Sequence, residues 1–129
     1  MSLSRQQMPE TGQHAYGVSE RLPSGQTAEL FEVLTDQVGD DAWLRFRFHA
    51  PSISREHGTV SFAEAEADFE HLCTNIALPY MAHHQLKTDV VSIALLDQPA
   101  PFGATDESVT QFVDAFRVST GACVWEDPW

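Results

Sequence analysis

"DVVSIALLD", residues 89–97, is apolar on both sides of an extended chain. Side chains alternate along a strand, so Val91, Ile93 and Leu95 fall on one face and Val90, Ala94 and Leu96 on the other. A strand with one wet face would alternate apolar with polar. This one predicts a central strand covered on both sides, and the rest of the chain can be placed around it.

Just upstream, "SFAEAEADFEHLCTNIALPYMAHH" (61–84) carries Phe62, Ala65, Phe69, Leu72, Cys73, Ile76 and Tyr80 at steps of three and four. That is the stripe of an amphipathic helix. Ser61 with Glu64 three positions on is a capping box, in which each side chain meets the other residue's backbone N–H. Glu64, Glu66, Asp68 and Glu70 are expected mainly on the solvent side. Pro79 lacks an N–H and would clash with the carbonyl of Asn75. The helix is therefore expected to kink or break near Leu78, with a further short helical turn over 79–86.

Further upstream, "AELFEVLT" (28–35) and "AWLRFRFHA" (42–50) flank the polar, glycine-containing "DQVGDD", and read as a hairpin. The second strand alternates cleanly, with Leu44, Phe46 and Phe48 on one face and Trp43, Arg45, Arg47 and His49 on the other. Residues 1–26 are rich in Gln, Ser, Gly, Pro and Glu without periodicity and read as a loose N-terminal arm, ending in the "PSG" turn at 23–25. Downstream, "QPAPFGATDES" is a loop in which Gly103 and Asp106 are read as turn residues. "QFVDAFRVSTGACVWED" (111–127) is strand, Thr120-Gly121 turn, strand, which sets Val118 opposite Cys123 and Phe116 opposite Trp125. The expectation is a single α+β domain over 27–129. Its order is ββαβββ: an antiparallel-dominated sheet of about five strands with one long helix on one face. Phe46, Phe48, Phe69, Ile76, Ile93 and Phe116 are its expected core.

The chain has 129 residues, the length of one domain, and seven Lys and Arg against nineteen Asp and Glu, a formal charge of −12. Such a surface repels nucleic acid and anionic membranes. No apolar run approaches the roughly 18 residues of a membrane span, so membrane insertion is not expected. "MSLSRQQMPETGQ" has no apolar signal-peptide core. The chain is thus read either as cytoplasmic or as one whose leader has been removed.

Metal and nucleophile readings of the cysteine-bearing helix are weak. His71 and Cys73 lie about 200° apart around a helix at its 3.6-residue period, and the adjacent His83 and His84 also diverge. Cys73 lies within the apolar stripe, where a sulfur packs rather than reacts. No nucleophile elbow, glycine-rich phosphate loop or paired carboxylates stand out, so no catalytic residue, metal or cofactor is assigned. Cys123 shares its face with Phe116, Val118 and Trp125, the face that should receive the helix. Placement alone leaves two readings open: a Cys73–Cys123 bridge, or two buried thiols.

"LPSGQ", "LRFRFHAPSI", "DFEHLCTNIALPYM" and the tail "FGATDESVTQFVDAFRVSTGACVWED" together resemble a family of short, exported bacterial proteins of unknown function. The similarity covers about residues 22–127, and "TQFVDAFRV" followed by "CVWE" is its most specific part. Export implies a periplasmic or secreted protein in an oxidising compartment, and hence the bridge between Cys73 and Cys123. Some relatives carry the label acetolactate synthase. It does not transfer, because that enzyme needs a thiamine-diphosphate-binding subunit several times this length and no glycine-rich diphosphate motif is present.

The face turned away from the helix is the candidate for function. Trp43, Arg45 and Arg47 share it, and Arg117 joins them because Phe116 and Val118 point inward. Arginine beside tryptophan is a common composition of binding hot spots, and a guanidinium grips a carboxylate with two parallel hydrogen bonds. The competing reading pairs these arginines with Glu32 and Asp114 on neighbouring strands. The outer face of 89–97 needs cover, from the N-terminal arm, a second copy of the chain in a homodimer, or a ligand. The expected function is a non-enzymatic module binding a protein or a small acidic ligand. The alternative is a small hydrolase or lyase with a pocket between the 98–110 loop and the helix break at Pro79, and a histidine as base.

Overall fold

All seven residues of the central strand, Val90–Leu96, are buried. In the computed structural model, which describes residues 19–125, this is β4 of a six-stranded sheet laid out in chain order. Its neighbours are β1 (Ser19–Arg21), β2 (Thr27–Val38), β3 (Asp41–His49), β5 (Gln111–Ser119) and β6 (Ala122–Trp125). Between β3 and β4 run a short 3-10 turn (Pro51–Ile53), helix α1 (Phe62–Leu72), a π-helical turn (Cys73–Ala77) and helix α2 (Leu78–His84). The class is α+β, as expected.

Two features of the sheet differ from expectation. It is mixed: β3 and β4 run parallel, with Phe46 beside Ile93 and Phe48 beside Leu95, while the other pairings are antiparallel. The helical segment carries the chain back along the sheet, so the strand after it enters from the same end as the strand before it. The sheet also has six strands rather than about five. The extra one, β1, is the tripeptide Ser19–Arg21 beside Thr27–Glu29, too short and polar to show alternation. It falls within residues 1–26, whose first eighteen lie outside the described residues, as do 126–129 at the other end.

The β2–β3 hairpin is tighter than "DQVGDD" suggested. The strands run through that segment to Val38 and Asp41, leaving Gly39 and Asp40 as the turn, with Gly39 at φ 59°, a backbone region open to glycine. Nearer the opposite edge of the sheet, Thr120 (φ 50°) and Gly121 (φ 76°) make the two-residue turn between β5 and β6. Two successive positive φ values match the strands' own twist. Val118 pairs with Cys123 and Phe116 with Trp125, in the expected register.

The helical segment starts as predicted: Ser61 accepts from the N–H of Glu64, and Glu64 accepts from that of Ser61. It does not break at Pro79. The π turn widens the ladder just upstream, and the proline falls in the first turn of α2, where a missing N–H costs little. One face packs on the sheet. Phe46, Phe48, Ile93 and Phe116 from the strands meet Phe69, Leu72, Cys73, Ala77 and Tyr80 from the helices in one core. Tyr80 stands edge-on to Phe46, ring centroids 5.4 Å apart. Ile76 is only partly buried, and Phe62 at the helix start is exposed, touching Phe69 and Phe112. Cys73 and Cys123 are bridged, with Cα atoms 6.3 Å apart, tying the π turn to β6.

Asp68, expected on the solvent side, is wholly buried. Its carboxylate accepts from the N–H of Ser24 (2.9 Å), the Ser24 hydroxyl and Nε2 of Gln26 (2.9 Å). A buried carboxylate needs such donors. They come from "LPSGQ", the turn between β1 and β2, closed by a 2.9 Å bond from the Leu22 N–H to the Gln26 carbonyl. Helical spacing cannot show this, because the partner is 44 residues away. Asp68→Ala, which orphans the Ser24 and Gln26 donors, is expected to cost about 2–3 kcal/mol in urea denaturation. An unchanged midpoint would show that the turn holds itself.

Candidate functional site

The outer face follows from the strand register. Across β2, β3, β4 and β5, Leu34, Arg45, Ser92 and Ala115 form one row, and Glu32, Arg47, Ala94 and Val113 the next. In the row on the turn side of these, Asp36, Trp43, Val90 and Arg117 follow one another. Trp43, Arg45, Arg47 and Arg117 therefore do share the face away from the helices. Val90, Ala94, Leu96 and Ala115 are buried on it yet stand apart from the core beneath the helices.

Much of the cover for that face is the chain's own loop. Residues 100–109 fold over Ser92, Ala94, Leu96 and Val113 and leave a cavity of about 330 Å3. The loop turns at Pro101–Ala104, with Gly103 at φ 83°, and again at Asp106, whose carboxylate accepts from the N–H and hydroxyl of Ser108. The Ser108 hydroxyl first, and then its N–H, hold the Asp106 carboxyl below the usual carboxylate range. Arg55 and Gln98 steady the segment by donating to the carbonyls of Glu107 and Ser108. Gly103 and Asp106 are thus turn formers, and both also line the cavity.

Each of the three candidate arginines has an acidic partner. Arg45 donates through Nε and Nη2 to Asp36 at 3.1 and 2.9 Å, Arg47 through Nη1 to Glu32, and Arg117 through Nη2 to Asp41 at 3.0 Å. The pairing with Glu32 is as anticipated. Asp114 instead takes the indole N–H of Trp125, at 3.0 and 3.1 Å to its two oxygens. The Gln37 N–H, and next the Arg45 guanidinium, hold the Asp36 carboxyl below its ordinary range. The four candidates also differ in setting. Arg117 is 43% exposed and Arg45 21%, while Arg47 is only 4% exposed. Phe102 brings Arg45 and Arg47 together, its ring 5.2 and 5.6 Å from the two guanidinium carbons. Trp43 lies under Arg45 and Phe31 under Arg47, at 4.9 and 5.2 Å. Both guanidinium groups thus sit between aromatic rings, an attractive arrangement that also fixes their planes.

Arg45 and Arg47 line the cavity; Trp43 and Arg117 do not. The cavity opens opposite the helices, so Pro79 is not part of it, and no histidine is among its described lining residues. His49 instead meets the carbonyl of Asp97, and His71 meets Glu20. Strand alternation placed the arginines but gave no sign of Phe102 or Ser92. Phe102 sits in a loop without period, and Ser92 is a lone serine within an apolar strand. Chemically the arrangement is a shallow chamber with two oriented guanidinium groups and a serine on its floor, under an aromatic and aliphatic roof. It is suited to holding a carboxylate.

A family model described as a family of unknown function (DUF6497) matches residues 3–127, and the chain belongs to that family. No curated protein and no solved structure matches it.

Proposed function

We propose that the protein is a non-enzymatic binding module working outside the cytoplasm, and that its outer sheet face receives an acidic partner in the chamber under the 100–109 loop. The observation that carries this reading is Arg47. Burying a guanidinium is costly unless its donors are used, and it has five N–H groups. Glu32 takes one, at Nη1, while the side chain is 4% exposed and lines an open cavity. A carboxylate entering that cavity would use donors that the fold leaves over. Export is supported by the Cys73–Cys123 bridge, a bond maintained chiefly in oxidising compartments. No helix of the described residues is long and apolar enough to cross a membrane.

Val113 offers a clean test, because it lines the cavity from β5 and is 44% exposed. Val113→Trp should fill the chamber at little cost to the fold, as exposed positions usually tolerate change within about 0.5 kcal/mol. In a thermal-shift screen of small carboxylic acids and acidic peptides, binders should raise the melting temperature of the parent protein, since a ligand stabilises the state it binds. The same compounds should leave Val113→Trp unmoved. Equal shifts in both proteins would place the binding elsewhere.

A further inference from the structure

Resting on that reading, we infer that the cavity takes a single carboxylate joined to an apolar body, such as a medium-chain or aromatic monocarboxylic acid. Its two guanidinium groups and Ser92 are gathered in one corner. Arg45 and Ser92 are direct neighbours across β3 and β4, and Arg47 is one row on. Ser92 is 3% exposed and lines the cavity. It is a second polar side chain, beside Arg47, that an occupant of the cavity would meet, and a hydroxyl next to a guanidinium suits a carboxylate oxygen.

Away from that corner much of the lining is apolar. Ala94 and Val113 follow Arg47 along its row, Leu96 stands beside Gln111 in the next, and Pro101, Phe102 and Val109 come down from the loop. Among the described lining residues the remaining charged group is Asp106, itself a carboxylate. A second negative charge on the ligand would meet Asp106 and find no third cation among the described lining residues. The chamber thus distinguishes one acid group from two. At about 330 Å3 it stands at the small end of ligand pockets.

Calorimetric titration with three compounds sharing an eight-carbon chain tests the inference: octanoate, octanedioate and octan-1-ol. Octanoate should bind at least tenfold tighter than either of the others. Ser92→Ala should weaken octanoate several-fold while leaving the melting temperature of the unliganded protein unchanged. Octanedioate binding as tightly as octanoate would overturn the apolar end of the inference and leave the binding module intact. Octan-1-ol binding as tightly would show that the arginines do not engage the ligand. Should acidic peptides shift the parent protein but not Val113→Trp, with octanoate inert, the ligand class alone would be wrong. Inert acids and peptides together would overturn the module as well.

Discussion

Replacing both Cys73 and Cys123 by alanine is expected to lower the folding free energy by about 4 kcal/mol. Fifty positions separate the two cysteines, and in the chain-entropy account a cross-link acts mainly by narrowing the unfolded ensemble, more so for longer loops. Small domains are stable by about 5–15 kcal/mol, so this one bond decides whether the fold has a margin. The denaturant slope should rise as well, because an unfolded chain without the bridge exposes more surface. A midpoint unmoved by the double substitution would mean that the π turn and β6 hold together without the bridge.

Phe69→Ala is expected to cost about 3–5 kcal/mol, because the ring is wholly buried and its neighbours cannot collapse into the space it leaves. Around it are a sheet floor and a helix tied down at both ends, by the Ser61–Glu64 capping box and by the disulfide. Urea denaturation measures the loss, and an unchanged midpoint would contradict the assignment of the helix face. Phe62 provides the contrast: it is 44% exposed, and truncating it should cost much less.

Local regularities were what the sequence made legible. The both-sided burial of β4, the capping box, the Thr120-Gly121 turn and the register that sets Val118 against Cys123 rest on period or on neighbouring residues, and all are present. Features that depend on distant partners were not legible. Asp68 looked like one more carboxylate on a wet helix face until the turn at Ser24–Gln26 closed over it. The parallel pairing of β3 with β4 depends on where the helical crossover returns the chain. The π turn is a backbone adjustment that hides Pro79 from a rule based on the i to i−4 ladder.

The candidate site divides the same way. Alternation along β3 put Trp43, Arg45 and Arg47 on one face, and the tail's alternation added Arg117. It took the folded loop to separate them, making Arg45 and Arg47 the floor of a chamber beneath Phe102 and leaving Trp43 and Arg117 beside it. An Arg45→Glu, Arg47→Glu double change is consequently a poor probe of binding alone. Arg47 is nearly buried against Glu32, and a carboxylate there would face another with no cation between them.

The most direct measurement is a nitrogen-15 NMR titration of the folded protein with octanoate, following the backbone amides and the Nε–H groups of Arg45 and Arg47. If the outer chamber is the binding site, the arginine Nε–H signals and the amides of Ser92, Phe102, Gly103 and Val113 shift together and saturate at one stoichiometry. Amides of α1 and α2 on the far side of the sheet should stay in place. Shifts confined to the helices, or none at any concentration up to the solubility of the acid, would contradict the account.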